Sequence, residues 1–88
     1  DPEAYKEYIA LNAVAVRKFG ARFLGRAAPP ELKEGTARAR NVVIEFPTYQ
    51  AALDCFNSAE YQKALAVRRP VSSADMIIIE GYEGPQPS

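Results

Sequence analysis

Apolar and polar positions along this chain follow two periods, one helical and one extended. Tyr5, Ile9, Asn12, Val16 and Phe19 recur at steps of four, three, four and three, and Tyr8, Leu11 and Ala15 widen the stripe. Asp1 suits the N-cap, Pro2 the first helical position, and Glu3 the positive end of the helix dipole. Arg17 and Lys18 suit the opposite end, and Gly20 is the expected stop. The pattern predicts an amphipathic helix of about 17 residues.

Residues 21–26 then alternate as a short strand, with Phe23 on one face and Arg22, Leu24 and Arg26 on the other. Pro29-Pro30 ends it, and Glu34-Gly35 marks a turn. Residues 40–46, β-branched at their centre, form the clearest strand, closed by Pro47. Thr48 caps a second helix from Tyr49, with Ala51, Ala52, Leu53, Cys55 and Phe56 as its apolar content. Asn57-Ser58 interrupts it, and Ser58 caps a further helical stretch, residues 59–69, stopped by Pro70. A last strand is expected over residues 75–82. The order is helix, strand, strand, helix, strand, within one α+β domain over residues 1–84 and a frayed tail over 85–88.

Composition narrows the chemistry. The 88 residues hold no histidine, no tryptophan and one cysteine, Cys55. Histidine-based triads, histidine acid–base work and zinc sites built on histidine are therefore excluded. Asp54, Glu60 and Asp75 have no metal-ligand spacing, and Gly35 and Gly81 form no phosphate loop, so neither a metal nor a nucleotide cofactor is expected. A lone cysteine makes no internal disulfide. The longest apolar run, Met76-Ile77-Ile78-Ile79, is too short to cross a bilayer, and Asp1-Pro2-Glu3-Ala4-Tyr5 does not read as a signal peptide. The expected address is cytoplasmic, with no membrane partner.

Eleven basic and eleven acidic residues balance to zero, but unevenly. Arg17, Lys18, Arg22, Arg26, Lys33, Arg38 and Arg40 lie in one stretch against Glu31 and Glu34. A solvated strand edge and loop accounts for them. A nucleic-acid surface would want a net basic bias and interleaved exposed aromatics, so no nucleic-acid partner is expected.

Three blocks resemble a known bacterial family. They are Glu34-Gly35-Thr36-Ala37-Arg38-Ala39-Arg40-Asn41-Val42-Val43-Ile44-Glu45-Phe46-Pro47, then Cys55-Phe56-Asn57-Ser58-Ala59-Glu60-Tyr61-Gln62, then Ile77-Ile78-Ile79-Glu80-Gly81. All three are similar to proteins grouped as domain of unknown function 1330. The resemblance implies a ferredoxin-like βαββαβ sandwich that dimerises as an α+β barrel, and it supplies no reaction. Members of that family begin with a strand ahead of the Asp-Pro-Glu-Ala-Tyr helix, and this sequence starts at the helix cap. That strand would sit centrally, between residues 75–82 and 40–46, so about ten further residues are expected upstream.

Strand alternation places Val42, Ile44 and Phe46, with Ile77 and Ile79, toward the helices. Asn41, Val43 and Glu45, with Met76, Ile78, Glu80, Arg22, Leu24 and Arg26, share the other face. If two sheets pack there, Glu45 becomes the candidate general base, and Arg22, Arg26, Arg40, Asn41 and Glu80 become candidate ligand contacts. The plainer reading is that Glu45 and Glu80 form salt bridges with Arg22, Arg26 or a partner chain and fix the dimer. Tyr61 and Arg68, seven apart on one helical side, also qualify as ligand contacts, although Tyr61 equally suits a core aromatic with its hydroxyl at the rim. Arg40 meets an anion or caps an acid. Cys55 reads as an inert buried thiol, lacking an activating base. Two functions remain open. One is a cofactor-free enzyme or binding protein for a small acidic or aromatic metabolite in a homodimer cleft, since barrels of this type include cofactor-free monooxygenases and small isomerases. The other is a non-catalytic homodimeric module.

Overall fold

A computed structural model describes residues 1–87. Three helices and two strands follow in the order α1 (Pro2–Lys18), β1 (Arg22–Arg26), β2 (Val42–Glu45), α2 (Tyr49–Asn57) and α3 (Ala59–Arg68). The fold is α+β with a two-stranded antiparallel sheet.

Each helix begins on the cap its sequence supplies. The Asp1 carboxylate accepts from the Glu3 and Ala4 amides at 3.0 and 3.3 Å, and Thr48 Oγ1 accepts from Ala51 at 3.0 Å. Ser58 both ends α2 and starts α3, donating to the Cys55 carbonyl at 2.7 Å and accepting from the Tyr61 amide at 3.1 Å. Helix α1 stops in a Schellman arrangement: the Gly20 amide bonds Arg17 O at 3.1 Å and the Ala21 amide bonds Val16 O at 3.0 Å. Gly20 has φ +74°, and a Cβ there would stand 3.1 Å from Pro47 Cγ, so glycine satisfies both the turn and the close approach.

Helix α1 packs on α3. Ala15, Val16, Cys55, Tyr61 and Leu65 form the buried cluster, with Phe19, Phe23, Ile44, Phe46 and Phe56 packed against it. Phe23, Ile44 and Phe46 thus face the helices, as alternation requires.

Three expectations are corrected. Residues 75–82 form no strand and make no backbone–backbone hydrogen bond among the described residues. A strand persists only when its backbone groups are paired, and a groove separates this segment from β2. The facing of this segment is also the reverse of the expected one: Met76 and Ile78 line the groove over the helices, while Ile77 and Ile79 point away from it and are exposed. The radius of gyration, 14.5 Å, exceeds the roughly 12 Å of a compact chain this long, consistent with that opening. Thirdly, Arg26 does not share the face of Arg22. The register runs Arg22 with Glu45, Phe23 with Ile44, Gly25 with Val43 and Arg26 with Val42, so a bulge intervenes at Leu24. One extra residue reverses the alternation beyond it, and Arg26 joins Phe23 on the helix side. Of the expected tail, residues 85–87 have no helix or strand, and Ser88 lies outside the described residues.

Candidate functional site

A groove of about 820 Å³ separates α1, α3 and the helix side of β2 from the segment that follows α3. Of the residues singled out in the sequence, Arg26, Arg40, Asn41, Tyr61 and Arg68 line it. Arg22, Glu45 and Glu80 do not.

Its floor is built by α3. Tyr61 is buried, and its hydroxyl lies 3.5 Å from that of Tyr8 on α1 and 3.9 Å from Met76 Sδ, to which it donates. Burial, and then the Tyr8 hydroxyl, hold the Tyr61 proton well above the ordinary phenol value, while the nearby Arg68 charge opposes them weakly. Tyr61 therefore stays a neutral donor. Two turns along the same helix, Arg68 is nine-tenths buried, with its guanidinium 5.3 Å from the Tyr8 ring. Its position in the last turn suits the helix dipole. Its Nε is enclosed and has no hydrogen-bond partner, and no carboxylate pairs with it among the described residues. Unpaired buried cations are costly, so this one stands out.

The rim carries the other arginines. Arg40 lies 5.6 Å from the Tyr5 ring, and Arg26, turned inward by the bulge, lies 4.3 Å from the Phe23 ring. Arg38 straps the long loop to the segment after α3: Nε donates to Asp75 at 2.9 Å and Nη1 to Ser73 Oγ at 3.0 Å. The Asn41 amide donates to Arg38 O at 2.8 Å, so it holds the loop in place.

Glu45 sits on the far face of the sheet, where its carboxylate accepts from Arg22 Nε at 2.7 Å. The two are register partners, both exposed, and this pairing raises the Arg22 pKa. Glu80 is exposed on the unpaired segment. Cys55 lines the groove, but burial first and Glu60 second push its thiol up, away from the nucleophilic form.

Tyr5, Tyr8 and Arg38 belong to the site although the sequence did not single them out as ligand contacts. The signal available was the polar tip each tyrosine carries within the apolar stripe of α1, beside Asn12. Among the described residues no group of acids and cysteine is placed to hold a metal ion, and no helix is long and apolar enough to cross a membrane. The family model described as Domain of unknown function (DUF1330) matches residues 1–82. No curated protein matches the chain.

Proposed function

This chain belongs to the domain of unknown function 1330 family, and from that footing we propose that it binds a small metabolite in the groove between its helices and its sheet. One observation carries the reading: the Arg68 side chain, buried at the floor of the groove, has an Nε without a hydrogen-bond partner and pairs with no carboxylate among the described residues. The Tyr8–Tyr61 hydroxyl pair beside it supplies neutral hydrogen-bonding groups for orientation. A thermal-shift screen of the full-length chain against a metabolite library tests this, because a specific ligand raises apparent stability. Hits that vanish in Arg68→Gln support the groove; a hit that survives the substitution places the ligand elsewhere.

The proposal includes the ferredoxin-like arrangement, in which a further strand lies between β2 and residues 75–82 and reduces the open groove to a cleft between that strand and the helices. Its support is the unpaired backbone of residues 75–82, together with the exposure of Ile77 and Ile79 beside it. It also places a homodimer contact on the outer sheet face, where Leu24 and Val43 are exposed beside the Arg22–Glu45 pair. There Glu45 acts in assembly, through the ion pair it already makes. Glu45→Gln should shift light-scattering mass toward monomer while ligand binding by the remaining dimer persists. Loss of ligand turnover in an intact dimer would instead make Glu45 the general base. A cytoplasmic address completes the proposal, supported by a single unpaired cysteine.

A further inference from the structure

The connection between the two strands is longer than a turn requires. Residues 27–41 join β1 to β2, where an antiparallel pair needs about two to five residues. The base of this loop is closed: the Ala27 amide donates to Asn41 O at 2.9 Å, and Ala27 turns the chain at φ +62°. Among the described residues, the hydrogen bonds that tie the loop to the rest of the chain come from one side chain, Arg38. Its Nε donates to Asp75 Oδ2 at 2.9 Å, and its Nη1 donates to Ser73 Oγ at 3.0 Å and to Ser73 O at 3.3 Å. Asn41 Nδ2 donates to Arg38 O at 2.8 Å and so fixes the backbone from which the arginine reaches.

The span of this contact fits a completed sheet. A strand between β2 and residues 75–82 leaves its two neighbours two strand spacings apart, about 9.6 Å. An arginine and an aspartate reaching toward each other cross that distance over the end of the strand without taking its place. The end in question is marked by Arg40, whose guanidinium lies 5.6 Å from the Tyr5 ring at the start of α1. Arg38 and Asp75 are both exposed, so solvent and salt screen the pair and the contact opens readily.

We infer that residues 27–41 are a strap latched by Arg38 across that end of the cleft, and that ligand enters and leaves when the latch on Ser73 and Asp75 opens. The inference rests on the metabolite-binding reading above for what passes, but the latch itself is tested without a ligand.

The chain has no tryptophan, so Tyr5→Trp in the full-length chain places a single tryptophan beside Arg40. Acrylamide, small and uncharged, is the probe that must reach it. Arg38→Gln in that background removes all three bonds. It should raise both the quenching constant and the rate of tryptic cleavage after Lys33 about two- to fivefold, with the melting temperature unchanged. Salt at about 1 M should move the parent toward the variant and leave the variant where it is. Lys63→Gln, away from the loop, should change neither readout, and the cleavage measurement is repeated with Tyr5 intact. Faster cleavage with unchanged quenching would make Arg38 a loop anchor and overturn the gate. No change in either readout, or changes accompanied by a lower melting temperature, would overturn the latch. A library screen without hits would overturn the metabolite reading and leave both readouts of the strap as they are.

Discussion

The hydroxyls of Tyr8 on α1 and Tyr61 on α3 lie 3.5 Å apart, joining the two helices at the floor of the groove. Tyr61 also donates to Met76 Sδ at 3.9 Å, which ties the segment after α3 to the same point. A side chain at the first contact of three chain segments is sensitive to its charge.

Alkaline pH should therefore unfold the protein through Tyr61. Its folded pKa lies above the unfolded value of 10.0, so its contribution is complete below that value. It is lost as pH rises beyond it, because the unfolded chain ionises first. Tyrosinate absorbance should show one of the five tyrosines titrating only with unfolding. Tyr61→Phe should flatten the fall in melting temperature at high pH; an unchanged slope would assign it to another group.

Arg68→Met should separate stability from binding. The substitution removes a buried Nε that has no hydrogen-bond partner, a gain of about 1–3 kcal/mol, and gives up the contact with the Tyr8 ring, worth about 0.5–2 kcal/mol. The melting temperature should hold or rise by a few degrees while ligand response disappears. A loss above about 2 kcal/mol in denaturant titration would mean that Arg68 serves packing alone.

Gly20→Ala should cost about 1–2 kcal/mol from the left-handed backbone, and more from the 3.1 Å approach to Pro47 Cγ. The same substitution at Gly35, where φ is also positive but no atom lies within 4 Å, should cost only the backbone term. Chemical denaturation of the two variants side by side measures the difference.

Lys18 Nζ and Glu60 Oε2, 2.6 Å apart, clip α1 to α3. The hydrogen bond from Lys18 holds the Glu60 carboxyl below its usual 4.5. The stabilisation is thus complete above that value and is lost as pH falls through the lowered folded value. Glu60→Gln should lower the melting temperature slightly at neutral pH and converge with the parent in acid. High salt should shrink the neutral-pH difference, since the pair is exposed.

Much of the fold was legible because its signals are local. Asp1, Thr48 and Ser58 each cap within three residues of themselves, so α1, α2 and α3 begin where the sequence places them. The β-branched run at Val42, Val43 and Ile44 marks β2 in the same way. The site was legible only in part. Tyr61 and Arg68 share one side of α3 because seven residues make two turns, a relation readable from spacing. Arg26 was misplaced because alternation presumes an unbroken register, and nothing in Phe23-Leu24-Gly25 alone dictates where β2 pairs.

By itself, then, the sequence determined the helices, their caps, the Gly20 stop, the helix-facing side of β2 and the family. Only the tertiary structure decided that Arg26 turns inward, that Tyr8 meets Tyr61, and that Arg26, Arg40 and Arg68 line one groove without pairing to a carboxylate among the described residues. It also left residues 75–82 unpaired, where their β-branched run favours a strand. The division has one physical cause. Caps and periodicity depend on neighbours within a turn or two, whereas pairing, bulges and charge convergence depend on surfaces brought together from distant parts of the chain.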